Sequence, residues 1–438
     1  MRAFTGFFAA LALVGLGTAG CGGSEAEAVA ARSERLADSL ASATPKPRAE
    51  RVAAPPRRPD EGVSVYLDGT RSMRGFFACD SGANDVATVL RRLTATFGVD
   101  SITLFGVPRS DAPPAAYFTA RAYDRALRCG DGIERGENPD YLLYQRIQGD
   151  STGRIAVYLT DGVQSASSVA TPSPSIRALE QWVESGKPLA ILAFRGAFAG
   201  EAWSEEEGGW IGKVSNANRP FYAFVFAPTA ERMDAFLARI PAEVTRGVVA
   251  RMRFDDGGVR CGAALVGPRY SSGKTAPWIQ LDAHGGERFF GGSAPLASYR
   301  CTLAGDHPLA TVLVEPVAHS YREWQGAGFA APDRPTGAEV EVDSVKATRE
   351  RTRRTSVAHV GAHIARADNH RFGFYAISLA GRAGSLRAEV DSLSTDSDAD
   401  PAQYSRTYLF SWLVRRLVDA QFERDPQARS VFVTLQYR

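Results

Sequence analysis

Two apolar segments that end in aspartate decide the fold: VSVYLDGTRSM at residues 63–73 and IAVYLTDGVQS at residues 155–165. In each segment an apolar run leads directly into Asp-Gly, or Thr-Asp-Gly, which is typical of a buried strand that ends in a tight loop. Helical and strand patterns alternate around both segments. The sequence therefore predicts an α/β fold with a doubly wound, mainly parallel sheet, in which Asp68 and Asp161 lie at the carboxyl edge where such sheets bind ligands.

The elements around these segments follow from hydrophobic periodicity. Apolar residues at helical spacing predict helices at Asn84–Phe97, Pro139–Ile147, Ser173–Ser185 and Thr229–Ile240. Apolar runs predict further strands at Ser101–Val107, Pro188–Phe194 and Phe221–Phe226, with residues 195–220 as an insertion before the last of them. The uninterrupted apolar run at Pro188–Phe194 is expected in a sheet that is covered on both faces.

Beyond Pro241 the alternation stops and a β-rich α+β domain is expected. Strands are predicted at Val248–Phe254, Ala263–Val266, Trp278–Asp282, Ala310–Val317, Phe372–Leu379 and Ser430–Gln436. An amphipathic helix is predicted at Ser405–Phe422, and the acidic stretch Asp391–Asp400 before it is expected to be a solvated loop. The predicted domains are thus residues 63–242 and residues 243–438.

The chemistry of the sequence is concentrated in the two loops that follow the strands. Asp68, Thr70 and Ser72 stand at positions i, i+2 and i+4, so a tight loop directs three oxygen atoms towards one point. Asp161 adds a carboxylate from a neighbouring strand. Oxygen-rich sites of this kind suit hard cations such as Mg²⁺.

With these residues the chain resembles the von Willebrand factor A (VWA) family and its metal-ion-dependent adhesion site. The family motif is Asp-x-Ser-x-Ser after the first strand, matched by Asp68, Thr70 and Ser72, and an Asp in Thr-Asp-Gly after a later strand, matched by Asp161. The resemblance covers residues 63–240. It implies a bound Mg²⁺, Mn²⁺ or Ca²⁺ whose open coordination position takes an acidic side chain of a protein partner.

One element of the family pattern differs in this chain. The family brings a Thr from a second loop, whereas residues 136–140 here read Gly-Glu-Asn-Pro-Asp and contain no Thr. Asn138 and Asp140 are the candidate replacements as oxygen ligands. The alternative is a VWA fold with a degenerate site, in which Asp68 caps a turn and Asp161 holds a loop.

The first 21 residues predict export. A basic start, an apolar stretch and Thr-Ala-Gly-Cys at residues 18–21 resemble a bacterial lipoprotein signal, in which Cys21 is lipidated; Gly22 after it points to the outer membrane. A plain secretory signal is the alternative. Residues 22–62, rich in Ala, Glu and Pro, are predicted to be a tether. No later apolar run is long enough to span a membrane, so lipid is the expected anchor.

Four further cysteines follow Cys21, and an even number in an exported chain predicts two disulfides. Three pairings are possible. Because each pair then lies within one predicted domain, we expect Cys79 with Cys129 and Cys261 with Cys301. Buried free thiols are the alternative.

The net charge and the absence of certain motifs exclude some classes of function. The net charge of +2 gives no general electrostatic case for nucleic acid, and no phosphate-binding loop is found. The sequence therefore predicts a non-enzymatic, membrane-tethered binding module of the bacterial cell envelope, facing the periplasm or the exterior. A metal-dependent hydrolase using the same aspartates is the alternative, although no general base stands near them in sequence. A structural lipoprotein with a degenerate metal site is the third possibility.

Overall fold

The computed structural model describes residues 62–77, 85–99, 101–106, 117–122, 140–164, 171–265, 278–281, 297–324, 329–330, 338–350, 353–364, 372–425 and 429–437. Several predictions lie outside these residues. They are the signal and tether at residues 1–61 with Cys21, the cysteines Cys79 and Cys129, and Asn138.

A mixed seven-stranded sheet forms the centre of the fold. Its strands are β1 (Val63–Asp68), β2 (Ser101–Phe105), β3 (Phe118–Ala122), β4 (Ile155–Thr160), β5 (Leu189–Ser204), β6 (Gly209–Phe226) and β7 (Val248–Phe254), in the spatial order β3-β2-β1-β4-β6-β5-β7. β1 is parallel to β2 and to β4. The other pairs, β2–β3, β4–β6, β5–β6 and β5–β7, are antiparallel. The α/β prediction holds, but the sheet is mixed where a mainly parallel one was expected.

The reason for this difference is the connection between β5 and β6. Only residues 205–208 separate the two strands, whereas a crossover between parallel strands needs about a dozen residues. The chain therefore forms a long hairpin. Residues 195–220, predicted to be an insertion, are the outer part of that hairpin, and β6 lies between β4 and β5.

Helices cover both faces of the sheet. They are α1 (Arg71–Arg74), α2 (Asp85–Phe97), α3 (Asp140–Gly149), α4 (Pro174–Glu184), α5 (Ala230–Arg239), α6 (Ala242–Gly247), α7 (Ala388–Asp391) and α8 (Phe410–Arg424). The apolar residues of α2 and α5 pack with Val65 and Leu67 in one core. Those of α3, α4 and α8 pack with Tyr66 and Tyr158 in the other. Successive residues of a strand point to opposite faces, so β1 and β4 contribute apolar side chains alternately to the two cores.

The remaining strands form a four-stranded sheet, a five-stranded sheet and a two-stranded pair. They are β8 (Val259–Leu265), β9 (Trp278–Leu281), β10 (Ala297–Leu303), β11 (Val312–Trp324), β12 (Phe329–Ala330), β13 (Ala338–Glu350), β14 (Arg353–Ile364), β15 (Phe372–Ala383), β16 (Ser394–Thr395), β17 (Thr407–Tyr408) and β18 (Arg429–Tyr437). The sheet orders are β13-β14-β10-β8 and β12-β11-β15-β18-β9, and β16 pairs with β17. The β-rich character predicted for this half is confirmed.

Cys261 and Cys301 form the predicted disulfide. They are direct neighbours on the antiparallel strands β8 and β10, and their Cα atoms are 4.1 Å apart. Both side chains are buried, so the bond joins the two strands inside the core.

The C-terminal half also contributes to the central layers. β7 lies beyond the predicted boundary at residue 242, yet it pairs with β5. Phe410 of α8 stacks on Tyr222 of β6 with 4.1 Å between ring centroids, and Arg416 of α8 donates to the carboxylate of Glu180 on α4. One core therefore includes residues from both predicted domains.

The predicted helix at Ser405–Phe422 begins later, at Phe410. Thr407 and Tyr408 are extended because they pair with Ser394 and Thr395 in the β16–β17 bridge. Leu409 then turns the chain into the helix with a φ of 56°. No helix within the described residues has the length and apolar character needed to cross a membrane.

Candidate functional site

The loops after β1 and β4 lie side by side at one edge of the central sheet. β1 and β4 are parallel neighbours in the register Leu67 to Leu159, as the sequence led us to expect. Asp68 closes β1, and Thr160 and Asp161 follow Leu159, so all three side chains reach the carboxyl edge together.

The carboxylate of Asp68 is buried and bonded through both oxygen atoms. The backbone N–H of Thr70 donates to Oδ1 at 2.9 Å, and the hydroxyl of Thr160 donates to Oδ2 at 2.8 Å. The second bond joins the two loops directly. The sequence had given Thr160 no role of its own, although it belongs to the Thr-Asp-Gly motif.

Thr70 and Ser72 bring two hydroxyl groups together above this carboxylate. Their oxygen atoms are 2.9 Å apart and share a hydrogen bond. Adjacent ligands in an octahedral Mg²⁺ site are about 3 Å apart, given Mg–O distances of about 2.1 Å. The spacing of the two hydroxyl oxygens, which their hydrogen bond sets, is thus compatible with two ligands of one small cation.

Asp161 forms a buried ion pair. Nη2 of Arg219, near the middle of β6, donates to Oδ2 of Asp161 at 3.2 Å, and both side chains are less than a tenth exposed. The N–H of Val163 donates to Oδ1 at 3.4 Å. A cationic side chain thus neutralises the carboxylate that the sequence had assigned to a metal ion.

Aromatic rings hold this arginine in place. The guanidinium carbon lies 4.9 Å from the ring centroid of Phe198 and 5.2 Å from that of Tyr404, both within cation–π distance. Among the described residues its buried Nε atom has no hydrogen-bond partner. Arg219 is therefore a fixed positive charge at the sheet edge.

The two aspartates at the sheet edge differ in their electrostatic surroundings. Burial and the nearby charge of Asp161 raise the pKa of Asp68 to about 6, against the hydrogen bonds from Thr70 and Thr160 that lower it. At neutral pH Asp68 is mostly ionised, and it has no ion pair among the described side chains. Of the two strand-end aspartates, Asp161 is thus neutralised by Arg219, and Asp68 keeps an unbalanced negative charge.

Asp140 is placed in a different contact. It begins α3, and its Oδ1 accepts a hydrogen bond of 2.7 Å from the hydroxyl of Tyr158 on β4. Burial raises the pKa of Tyr144 well above its usual value, and the charges of Asp140 and Asp68 raise it further. Asp140 therefore adds negative charge near the edge, and its carboxylate accepts from Tyr158 of β4.

The acidic loop before α8 is not merely solvated. Asp398 is buried and accepts hydrogen bonds from the hydroxyl of Ser204 and the N–H groups of Glu205 and Glu206 at the end of the β5–β6 hairpin. Burial raises the pKa of Glu205, and the charges of Asp161 and Asp398 add to the effect. The hairpin turn is thus electrostatically coupled to the sheet edge.

Sequence reasoning missed Arg219. It precedes Pro220 and the apolar run at Phe221–Phe226, and nothing in its spacing from Asp161 marks it. The one signal was Glu-Glu-Glu-Gly-Gly at residues 205–209, which predicts a turn. Had that turn been taken as a hairpin, β6 would run antiparallel, and its residue 219 would lie at the edge where β4 ends.

The predicted metal ligands of the two strand-end loops fall into two groups, three that can bind a cation and one that is already paired with an arginine. Asp68, Thr70 and Ser72 offer a hard cation a carboxylate without an ion pair and two spaced hydroxyls, whereas Arg219 occupies Oδ2 of Asp161. Within the described residues no three His, Cys, Asp or Glu side chains form a metal-binding group. No protein-family model matches this chain, and no curated protein matches it.

Proposed function

We propose that this chain is a non-enzymatic binding module of VWA type that engages an acidic side chain of a protein partner through a divalent cation. The cation, Mg²⁺ or else Mn²⁺ or Ca²⁺, would be held by Asp68, Thr70 and Ser72. The observation that carries the proposal is the hydroxyl pair, 2.9 Å apart, beside a buried carboxylate that has no ion pair among the described side chains.

The charge balance explains why an acidic partner is expected. Arg219 neutralises Asp161, so Asp68 is the strand-end carboxylate whose negative charge is left unbalanced. A divalent cation bound beside Asp68 would more than balance that one charge. Because the other two proposed ligands are neutral hydroxyls, a bound ion would keep its attraction for the carboxylate of a partner.

The VWA-type fold in this proposal is inferred from the directions of the strands. Parallel strands β2, β1 and β4 with the antiparallel edge strand β3 support a VWA-type, doubly wound core on that side of the sheet. The hairpin β5–β6 replaces the remaining parallel strands. Asp161 then acts as a charge partner of Arg219 at the rim of the cation site.

The cellular setting follows from the sequence. Lipidation at Cys21 would tether the module to the envelope, most simply at the outer membrane, through the Pro- and Ala-rich residues 22–62. Wild-type protein should then partition with membranes, whereas Cys21→Ser should lose lipid incorporation and signal processing. Unchanged processing of that variant would contradict the anchor.

Partner capture tests the binding function. The immobilised chain should retain a partner from envelope extracts in Mg²⁺, release it in EDTA and recapture it when Mg²⁺ is restored. Asp68→Ala should retain none, and Asp391→Ala, an exposed aspartate away from the edge, should behave as wild type. Capture that is equal in Mg²⁺ and EDTA would contradict the proposal.

The Arg219–Asp161 ion pair favours a second candidate, a structural lipoprotein whose edge needs no metal. In that case the guanidinium is the resident cation, and Asp68 acts only through its hydrogen bonds to Thr70 and Thr160. Stability that is indifferent to Mg²⁺, Mn²⁺ and EDTA would favour this candidate over the first.

A further inference from the structure

The end of the β5–β6 hairpin presents two tryptophans to solvent. Trp203 and Trp210 are direct cross-strand neighbours, so both side chains point to the same face. They are 49% and 58% exposed, and neither belongs to a hydrophobic core. Among the described side chains they are the exposed aromatic residues of the molecule.

The backbone beneath this pair is fixed. Asp398 accepts three hydrogen bonds from the turn, and the hydroxyl of Tyr404 donates to the carbonyl of Trp203 at 2.6 Å. The N–H of Glu207 donates to the buried Ser204 hydroxyl. A platform that is already ordered loses little conformational entropy on binding, so its contacts contribute more of their free energy to affinity.

The turn that joins the two tryptophans carries charge of one sign. Residues 203–210 read Trp-Ser-Glu-Glu-Glu-Gly-Gly-Trp, with three acidic residues and no Lys or Arg. Glu206 and Glu207 are exposed, and Ser397 from the adjoining acidic loop donates to Glu206. This concentration of negative charge repels anionic lipid and attracts cations.

We propose that the hairpin end binds a basic segment of a protein partner, with Arg or Lys side chains stacked on Trp203 and Trp210. The negative face of an indole attracts guanidinium and ammonium groups, and Trp is the strongest of the aromatic residues in this respect. The carboxylates of Glu206 and Glu207 add charge complementarity. The surface uses none of the residues of the cation site, so it goes beyond the function proposed above.

The test uses the full chain and a fluorescein-labelled hexapeptide of alternating Arg and Gly, with a citrulline peptide as its uncharged isostere. Fluorescence anisotropy should show binding of the Arg peptide at least about tenfold tighter than that of the citrulline peptide, because both cation–π and charge contacts are lost. The double variant Trp203→Ala/Trp210→Ala should weaken binding about fivefold or more. Glu206→Gln/Glu207→Gln should weaken it and reduce its salt dependence.

Two controls keep the result interpretable. Glu184→Gln/Glu243→Gln removes two exposed carboxylates of α4 and α6 and should leave binding unchanged. Trp203→Leu/Trp210→Leu keeps apolar bulk without the aromatic faces, and should weaken binding as the alanine variant does, with an unchanged melting temperature.

Several outcomes would overturn the proposal. They are an absence of Arg-peptide binding by wild type, equal affinity for the citrulline peptide, and full affinity in either tryptophan variant. Binding of a neutral oligosaccharide that depends on both tryptophans, without binding of the Arg peptide, would instead identify the platform as a glycan site.

Discussion

Arg219 changes the role of the aspartate that the sequence had marked most clearly. Asp161 stands in a Thr-Asp-Gly motif, and a buried carboxylate there needs a positive charge nearby. The structure supplies that charge from β6, between the rings of Phe198 and Tyr404. A buried ion pair is stable only while both partners are present, since either charge alone is poorly solvated.

Removing the arginine alone should therefore be costly. We expect Arg219→Met to lower the free energy of unfolding by about 3–5 kcal/mol in EDTA, because Asp161 is left as an unpaired buried charge. Adding Asp161→Asn to that variant should recover part of the loss. Urea unfolding measures both effects.

Arg195→Met is the matched control, since within the described part of the chain Arg195 donates to the backbone carbonyls of Asn218 and Ser405 and forms no ion pair. If Arg219→Met costs no more than this control, the ion pair does not have the role assigned to it.

A second buried residue, His307, predicts a dependence on pH. Its Nδ1 accepts from the N–H of Leu309, so Nε2 carries the proton and donates to Oε1 of Gln421. Burial, together with the charges of Arg354 and Arg387, lowers the pKa of His307 to about 3, against the hydrogen bond with Gln421 that raises it. The folded state therefore keeps the neutral ring while the unfolded state binds a proton below about pH 6.5.

Stability from this group is complete above pH 6.5 and is lost progressively as the pH falls towards 3. By pH 4.5 the loss should be about 2–3 kcal/mol. His307→Asn keeps a hydrogen-bond acceptor but cannot titrate, so its unfolding free energy should fall less than that of wild type between pH 7 and pH 4.5. Parallel pH profiles for the two proteins would refute this assignment.

At the scale of elements, the β5–β6 hairpin makes the sheet mixed, because it places β6 antiparallel to both β4 and β5. Its turn depends on Asp398, which accepts hydrogen bonds from the Ser204 hydroxyl and from the backbone N–H groups of Glu205 and Glu206. Hydrogen bonds to a charged group contribute about 1.5–3 kcal/mol each at most, and leaving the donors buried and unpaired is costly.

Asp398→Ala should therefore loosen the hairpin end. We expect the amide hydrogens of Glu205 and Glu206 to exchange at least about tenfold faster, and stability to fall by about 2 kcal/mol. Hydrogen exchange of the variant measures this directly. Asp391→Ala, on the exposed side of α7, should change neither quantity, and slow exchange retained in Asp398→Ala would show that the turn is held by other contacts.

Local patterns predicted individual elements well and their pairing less well. β1, β4, β7 and α2 lie where hydrophobic periodicity placed them, because each buries a face whose period is visible in the sequence. The neighbouring positions of β1 and β4 were expected from the strand order that the VWA resemblance implies. The direction of β6 did not, because a strand that is apolar on both faces looks the same in parallel and antiparallel pairing.

The candidate site was predictable to the same extent. Asp68, Thr70 and Ser72 belong to one loop, and the spacing alone brings them together. Arg219 comes from β6, which is antiparallel where a mainly parallel sheet was predicted. Asp140 accepts from Tyr158 through a contact between separate elements. Contacts of that kind depend on tertiary packing, which no local pattern reports.

At the scale of the whole molecule, both halves share one core through α8, Tyr222 and β7. The disulfide between Cys261 and Cys301 lies in that shared core and closes a loop with a sequence separation of 40. Constraining the unfolded chain over such a loop stabilises the fold by ~4 kcal/mol at most.

The variant Cys261→Ser/Cys301→Ser should therefore unfold at a lower temperature than wild type, by an amount equivalent to a few kcal/mol. Wild type measured with a reductant should approach the same value, provided that the reductant reaches the buried bond after partial unfolding. Calorimetry of the variant and of the oxidised wild type makes the comparison. Equal melting temperatures would contradict a stabilising role for this bond.

The central claim is that Asp68, Thr70 and Ser72 hold a divalent cation, and its most direct measurement is the unfolding free energy as a function of Mg²⁺. Wild type should gain roughly 1–3 kcal/mol at millimolar Mg²⁺ relative to EDTA, if Kd is tens of micromolar. Thr70→Val/Ser72→Ala should fold in EDTA but gain nothing, and Ser392→Ala should gain as wild type does. A wild-type stability that is the same in Mg²⁺, Mn²⁺ and EDTA would contradict the claim.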